Sequence, residues 1–194
     1  VLALCFLAGK YLSSNNPNGC AFMLEWIDSH CHYDFEVFEP QRLQHWQWCQ
    51  TLGLMGLLIP GVSLQQSQAL QTLCASQTNW WHAVGLHPYF IDQHRPEHLD
   101  ALVSLARQSH CVAIGEFGLD YVLAKTDEQR QQQWWWFDQQ LQLAHRLNLP
   151  VVLHVRKAHD QVAQRLRQRQ FTAGGLVHGF SGVSYTQLTL PTKR

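Results

Sequence analysis

Two histidines one residue apart follow the first apolar run of the chain, in the stretch Trp26–Asp34. If residues 24–32 form a β-strand, side chains alternate between its faces, so His30 and His32 point the same way and Cys31 points opposite. Two imidazoles about 7 Å apart on one strand face can converge on a single metal ion. The pair therefore predicts a metal site, although it is a weak signal alone in a chain with 12 histidines.

Three more residues of metal-binding type end other apolar runs. Glu116, His154 and His178 each follow a short stretch of β-branched and apolar residues. A carboxylate on an apolar run is costly to bury unpaired, so Glu116 is expected to have a charged or metal partner. Imidazoles together with a carboxylate suit Zn²⁺, Mn²⁺ or a similar ion. Ligands at four separate strand ends are a much stronger signal than the histidine pair.

Strands and helices alternate along the chain in an order that would bring these residues together. Apolar runs predict strands near 24–32, 54–61, 80–88, 111–116, 150–154 and 174–178, and helices near 41–52, 64–76, 96–109, 128–147 and 161–170. Continuous apolar strands are typical of a parallel sheet covered on both faces. We therefore expect an α/β fold of the (β/α)₈ TIM-barrel type, in which the chemistry gathers where strands end. A doubly wound sheet has the same rhythm but brings fewer strand ends to one point.

The number of units is too small for a closed barrel. Six β/α units account for residues 23–182, whereas a barrel takes about 250 residues. We therefore expect a barrel truncated after about six units, with unpaired backbone groups on its first and last strands. Residues 1–22 are expected to be a leader outside the fold, and residues 183–194 a disordered tail.

Composition argues against several classes of protein. Basic and acidic residues both number 14, so the net charge of zero disfavours a protein that coats nucleic acid, but allows a local grip on a few phosphates. The six cysteines form no C-x-x-C pair, which indicates reduced thiols in a cytoplasmic protein. The apolar stretch Val1–Ala8 is far shorter than the roughly 18 residues that span a membrane. No membrane association and no obligate protein partner are expected.

Five short motifs occur in order between residues 24 and 182. They are Asp28–Asp34 (D-x-H-x-H-x-D), Gly85–Pro88 (G-x-H-P), Ala113–Asp120 (A-I-G-E-x-G-L-D), Pro150–Arg156 (P-x-x-x-H-x-R) and His178–Gly182 (H-x-F-S-G). Together they resemble the TatD-type metal-dependent hydrolases of the amidohydrolase superfamily. The resemblance implies a distorted TIM barrel that hydrolyses phosphodiester bonds in DNA with the help of divalent metal ions.

The resemblance also implies ligands for two divalent ions, which could be zinc, manganese or magnesium. His30, His32 and Glu116 would hold one ion, and Glu116, His154 and His178 the second, so the carboxylate bridges them. Glu116 and His154 would also be catalytic. Two ions roughly 3.5–4 Å apart lower the pKa of a bound water and stabilise the attacking and leaving oxygens of a phosphodiester.

Four further residues of these motifs are assigned to supporting roles. Arg156 can clamp a phosphate oxygen through its planar guanidinium, and His87 is expected either to contact or orient the substrate or to be structural. Asp34 and Asp120 are expected to orient ligands or to cap loops.

Other aromatic and histidine side chains are expected to have no part in the site. The tryptophans of Trp134–Trp136 lie in a predicted helix and are expected to pack in the core rather than to stack on bases. The remaining histidines considered are expected to be ordinary surface or helix residues: His45, His82, His94, His98, His110, His145 and His159.

One part of the family pattern has no counterpart. The resemblance implies an aspartate after the eighth strand that binds metal and takes a proton from water, yet residues 181–194 contain no acidic residue. The chain as written is therefore expected to bind metal weakly and to turn over poorly. Three functions remain open: a deoxyribonuclease acting as an exonuclease on single strands or 3′ ends, a deacylase or amidohydrolase on a small or tRNA-linked substrate, and a catalytically impaired metal-binding fragment.

Overall fold

A computed structural model describes residues 25–178. In that range six parallel strands lie side by side in chain order, and a helix follows each of the first five. The strands are β1 (Trp26–Asp28), β2 (Leu54–Pro60), β3 (Trp80–Val84), β4 (Cys111–Asp120), β5 (Val151–Arg156) and β6 (Gly175–His178). The helices are α1 (Arg42–Thr51), α2 (Leu64–Ala75), α3 (Glu97–Ala106), α4 (Asp127–Leu147) and α5 (His159–Gln168), with 3₁₀ turns at Glu36–Phe38 and Pro88–Gln93.

The strand order confirms the predicted fold class. The strand order β1-β2-β3-β4-β5-β6 is that of a half-barrel, in which each β/α unit adds its strand next to the strand before it. A doubly wound sheet would instead place β1 in the interior of the sheet, with helices crossing to both sides.

Local capping signals place the helices close to their predicted positions. Ser63 accepts a hydrogen bond from the backbone of Gln66 and begins α2. Thr126 and Gln129 form a capping box that begins α4. Asn148, with φ of 53°, ends α4 in the left-handed conformation that asparagine tolerates.

Three expectations about these elements are wrong. β1 ends at Asp28, so His30 and His32 lie in the loop beyond it rather than on one face of a strand. β4 continues four residues past Glu116, because its pairing with β5 extends to Asp120. The spacing of Leu43, Trp46, Cys49 (or Gln50) and Leu52 predicts an apolar stripe on the helix near 41–52, but of these only Trp46 is buried. Leu43 of α1 and Leu52, which follows it, are more than half exposed.

The core consists of a helix-covered layer outside the sheet and a small layer inside it. The outer layer packs strand residues such as Ile114 and Phe117 against α3, α4 and α5. The inner layer draws one residue from each of β2 to β6: Leu58, Ala83, Ala113, Val152 and Leu176. Because these inner side chains are mostly small, the six-stranded sheet can curve around them.

The tryptophan cluster is divided between the core and the surface. Trp136 is buried, whereas Trp135 is exposed. Trp134 is half-buried: its Nε1 donates to the Tyr121 hydroxyl at 2.9 Å, and the Arg165 guanidinium lies 4.6 Å from its ring. The core prediction is therefore correct for Trp136 and wrong for Trp135.

His82 is not the surface residue that was expected. It lies in the middle of β3 and is fully buried, on the same strand face as Trp80 and Val84. In the described part of the chain neither of its ring nitrogens has a hydrogen-bond partner.

A β-bulge in β4 sets the position of Glu116. Gly115 pairs with Val152 and Phe117 with Leu153, so Glu116 is an extra residue in the ladder. Two residues beyond it, a Cβ atom at Gly118 would lie 1.8 Å from the carbonyl oxygen of His154, so only glycine lets the two strands approach so closely.

The predicted leader (1–22) and tail (183–194) lie outside the described residues and stay predictions. Across residues 25–178, none of the helices combines the length and apolar character needed to cross a bilayer.

Candidate metal centre at the strand ends

The Glu116 carboxylate is buried at the end of the half-barrel and four imidazoles surround it. Its Oε2 lies 3.3 Å from His30 Nε2 and 3.7 Å from His32 Nε2. Its Oε1 lies 3.3 Å from His154 Nδ1 and 3.8 Å from His87 Nε2. Loops after β1 and β3 thus meet residues of β4 and β5 at one point, which we call the strand-end site.

The sixth strand adds His178 to the same point. Its ring stacks on the ring of His30 with centroids 3.9 Å apart, whereas the centroids of His154 and His178 are 6.5 Å apart. The structure therefore brings together all five residues expected to bind metal, but it groups His178 with His30 rather than with His154.

Two overlapping groups have the spacing of metal ligands. In His30, Glu116 and His178 the ligand atoms all lie within 4.8 Å of one another, and the same holds for His87, Glu116 and His154. Glu116 belongs to both groups, as a carboxylate shared by two ions would. The predicted ligand His32 lies 3.7 Å from Glu116 Oε2 but is in neither group, whereas His87, which was not predicted to bind metal, is in the second.

Asp120 holds the far side of the His154 ring. Its Oδ2 lies 3.0 Å from His154 Nε2, and its Oδ1 accepts hydrogen bonds from the backbone of Val122 and Leu123. Because an ionised carboxylate only accepts, Asp120 keeps a proton on His154 Nε2, and Nδ1, which faces Glu116, is the nitrogen that could bind a metal.

The loop after β1 is held by different contacts. Asp28 Oδ1 accepts from the backbone N–H of His30 at 3.1 Å. Asp34 accepts from the Gln66 side chain, whose Oε1 accepts from the backbone of Val62. Asp34 therefore ties its loop to α2 and does not contact a candidate ligand.

Two buried glutamines of α4 hold the backbone at two strand ends. Gln133 accepts from the Asp120 backbone N–H at 2.8 Å and donates to its carbonyl at 3.2 Å. Gln140 makes the same pair of bonds with Leu86, at 2.7 and 3.1 Å. Seven residues separate them, so they share one face of the helix. Gln133 thus holds the backbone of Asp120, and Gln140 holds the backbone of the residue before His87.

The charges of the site follow from burial and from these pairs. Burial alone would raise the pKa of Glu116, but the imidazoles of His154 and His30 beside its two oxygens outweigh burial and hold the pKa well below its usual range. Burial alone would lower the pKa of His154, but Glu116 and Asp120 raise it. Burial lowers the pKa of His87 to about 3 and that of His178 to about 4. The site therefore combines a carboxylate with neutral imidazoles at His87 and His178, whereas His154 favours its protonated form and would release a proton on binding a metal.

The residues present fit a divalent metal. Among the described residues, buried polar atoms without a hydrogen bond include both ring nitrogens of His30, Nδ1 of His32 and Oε1 of Glu116. Buried polar atoms normally have hydrogen-bond partners, so this many unpaired atoms around one carboxylate indicate that the site binds a cation. The donor set of nitrogen atoms and a carboxylate suits zinc, manganese or a similar ion better than calcium.

Arg156 lies at the open side of the site. Half of its side chain is exposed, and its Nη1 is 3.5 Å from Asp120 Oδ2. The guanidinium is therefore anchored at one end and can present its remaining N–H groups to an anion.

Four supporting residues were not found by sequence reasoning. Asp28 could have been found because it opens the D-x-H-x-H pattern. His94, expected to be an ordinary surface or helix residue, is buried, and its Nε2 donates to the His87 carbonyl at 2.8 Å. Gln133 and Gln140 carried no signal, because a glutamine in an amphipathic helix is usually a solvated residue.

Known proteins resemble this chain in both sequence and fold. The family model of TatD related DNases matches residues 27–189. An uncharacterised metal-dependent hydrolase, YjjV of Escherichia coli strain K12, is 35% identical over 159 residues, which are 81% of this chain and 61% of that protein. A 3′-5′ ssDNA/RNA exonuclease TatD of Shigella flexneri is 35% identical over 133 residues, 67% of this chain and 50% of that protein.

Solved structures agree with these matches. The crystal structure of YjjV superposes with a TM-score of 0.73 at 35% identity and covers 80% of this chain and 60% of that one. A TatD family hydrolase of Entamoeba histolytica superposes with a TM-score of 0.69 at 23% identity, which supports the fold alone. The chain thus spans about half to three fifths of the length of these relatives.

Proposed function

Because this chain belongs to the family of TatD related DNases, which are metal-dependent hydrolases, we propose that its strand-end site hydrolyses phosphodiester bonds of single-stranded DNA from the 3′ end. The observation that carries the proposal is the buried Glu116 carboxylate shared by two groups of imidazoles. One relative that covers two thirds of this chain is named as a 3′-5′ ssDNA/RNA exonuclease.

The side chains would divide the work as follows. His30, His32, Glu116, His154 and His178 would hold two divalent ions. When bound, such ions lower the pKa of water and offset the negative charge of a phosphodiester. Asp120 keeps His154 Nδ1 directed at the centre, and Arg156 binds a non-bridging phosphate oxygen through its free N–H groups.

Two exposed aromatic side chains support a single-stranded substrate. Phe35, three residues after His32, is 51% exposed and stacks against the His32 ring with centroids 5.0 Å apart. Tyr89, two residues after His87, is 67% exposed. Both follow strand ends that form the site, and base–aromatic stacking stabilises single strands without a broad basic surface. This agrees with the net charge of zero.

The proposal is tested on the 194-residue chain, stripped with a chelator and reloaded with Mn²⁺ or Zn²⁺. With a 5′-labelled single-stranded oligonucleotide, we expect slow stepwise shortening from the 3′ end that stops when chelator is added, because turnover of the chain as written is expected to be poor. Aminoacyl esters serve as the second substrate. Hydrolysis of these esters without release of nucleotides would contradict the proposal and favour a deacylase.

Replacement of the exposed aromatics tests the mode of substrate binding. We expect Tyr89→Ala to weaken binding of single strands by about 1–3 kcal/mol, seen as a higher KM with an unchanged kcat. Val37→Ala is the control, because Val37 is also highly exposed but has no aromatic ring on which a base could stack. An equal KM for the two variants would exclude stacking at Tyr89.

A further inference from the structure

Two histidines approach the same oxygen of Glu116 through different ring atoms. His154 faces Oε1 with Nδ1 at 3.3 Å, and His87 faces it with Nε2 at 3.8 Å. By distance alone both are candidate ligands. Their remaining nitrogens differ: His154 Nε2 meets the Asp120 carboxylate, whereas His87 Nδ1 meets the backbone N–H of Tyr89 at 3.0 Å.

These partners place the ring protons differently relative to the site. A neutral imidazole has one N–H and one lone pair. The Tyr89 amide can only donate, so His87 Nδ1 is the acceptor and the proton lies on Nε2, toward Glu116. In His154 the Asp120 carboxylate can only accept, so Nε2 keeps its proton and Nδ1 is the nitrogen that can give up a proton to a metal. On metal binding His154 can thus present a lone pair to the site, whereas His87 presents an N–H.

Three contacts hold His87 in this orientation. His87 precedes the 3₁₀ turn Pro88–Gln93, and its side chain caps a free backbone N–H at the start of that turn. The His94 ring donates through Nε2 to the His87 carbonyl at 2.8 Å. Gln140 fixes both backbone groups of Leu86. A flip of the ring would break the cap and leave the Tyr89 amide unpaired.

We propose that His87 is not a metal ligand and that its Nε2–H donates a hydrogen bond to a phosphate oxygen of the substrate seated beside Glu116. The phosphate part of this inference rests on the proposed function. A protonated ring nitrogen has no lone pair for a metal, but it is a strong donor to an anionic oxygen in a site with little water, and the His87 side chain is only 11% exposed.

Zinc titration of the full chain separates a donor from a ligand without any substrate. We expect His87→Ala and His87→Gln to bind the same number of zinc ions as the unaltered chain, with affinities within about twofold. His154→Ala should weaken binding by at least about tenfold, because it removes a ligand. A loss in His87→Ala as large as that in His154→Ala would overturn the proposal.

The ring protonation is read directly by long-range ¹H–¹⁵N correlation spectra, in which His87 is assigned by its absence from His87→Ala. We expect His87 to carry its proton on Nε2 both without and with zinc, while zinc shifts the Nδ1 signal of His154. A His87 Nε2 that loses its proton on addition of zinc would refute the assignment.

Two isosteric variants test the donor role. The amide nitrogen of Gln reaches the position of Nε2, whereas that of Asn reaches only the position of Nδ1. We expect His87→Asn to lower kcat for nucleotide release by about 10²-fold, as for loss of one transition-state donor, and His87→Gln to restore part of it. Equal activities of the two variants would exclude the donor role. If the unaltered chain releases no nucleotides, the proposed function fails, while the zinc titration and the spectra still decide whether His87 binds metal.

Discussion

The two oxygens of Glu116 face two differently supported halves of the site. On the Oε1 side, His154 lies on β5, which pairs with the ten-residue strand β4, and β4 in turn packs against the 21-residue helix α4. On the Oε2 side, His30 and His32 lie in a loop after a strand of three residues. His154 is therefore positioned by the core, whereas His30 is positioned by local bonds such as that from its N–H to Asp28. The difference implies that the Oε1 half is preorganised and that the Oε2 half is the more adaptable one.

Replacement of Glu116 should abolish both halves at once. We expect Glu116→Gln to remove measurable zinc binding, because the neutral amide cannot be shared by two cations and the imidazoles would lose their common anionic partner. Isothermal titration with zinc measures the effect, and Glu97→Gln in the exposed first turn of α3 is the control. If one zinc site survived in Glu116→Gln, the halves would be independent of the shared carboxylate.

Replacement of Gln140 should destabilise the Oε1 half of the site without removing a candidate metal ligand. In Gln140→Leu the backbone N–H and carbonyl of Leu86 lose their partner, which costs about 1–3 kcal/mol for each buried group. Urea unfolding should show this loss, and the exposed Gln142→Leu, on the same helix, should unfold like the unaltered chain. Similar stabilities of the two variants would show that α4 does not hold this strand end.

The buried His82 lies outside the site, and burial lowers its pKa as it does for His87 and His178 within the site. Burial, with a smaller contribution from His110, lowers the pKa of His82 from 6.5 to about 4. Between these values the unfolded chain takes up a proton that the folded chain refuses, so the free energy of unfolding falls as the pH drops from 6.5 to 4.

The acid loss attributable to His82 is at most roughly 3 kcal/mol. Urea unfolding at pH 7 and pH 4.5 should therefore show a smaller acid loss in His82→Leu than in the unaltered chain, and no such change in His145→Leu, an exposed residue of α4. The same acid loss in all three proteins would exclude His82 as its source.

Paired aspartate variants compare the two halves most directly. Asp120→Asn replaces a carboxylate that accepts the His154 proton, and loss of such a partner weakens metal binding by about 10–100-fold. Asp28→Asn removes a charge that bonds only the backbone of His30, so its effect on zinc affinity should be smaller. Equal losses would show that the loop after β1 is as strictly positioned as β5.

The sequence predicts most of the fold because its signals are local. Apolar runs that end in polar residues mark the strands, and a capping residue such as Ser63 marks the start of α2. The ends of β1 and β4 could not be predicted in this way, because pairing with a neighbouring strand decides where a strand stops.

The site is predictable in its members but not in its connections. Glu116 and the histidines stand out by type and by position at strand ends. The stacking of His178 on His30 and the bond from Tyr89 to His87 depend on ring orientation, which no spacing encodes. Gln133 and Gln140 are recognisable only once α4 is seen against the strand ends.

The extra residue in β4 makes the length of this strand as important as its composition. Ile114 before the bulge and Phe117 and Leu119 after it all face the helices, which strict alternation would not allow. A deletion or insertion of one amino acid between Ala113 and Asp120 would exchange inside for outside over the rest of the strand. This segment should therefore tolerate conservative replacements far better than any change in residue count, a constraint that libraries of variants with single-codon gaps would expose.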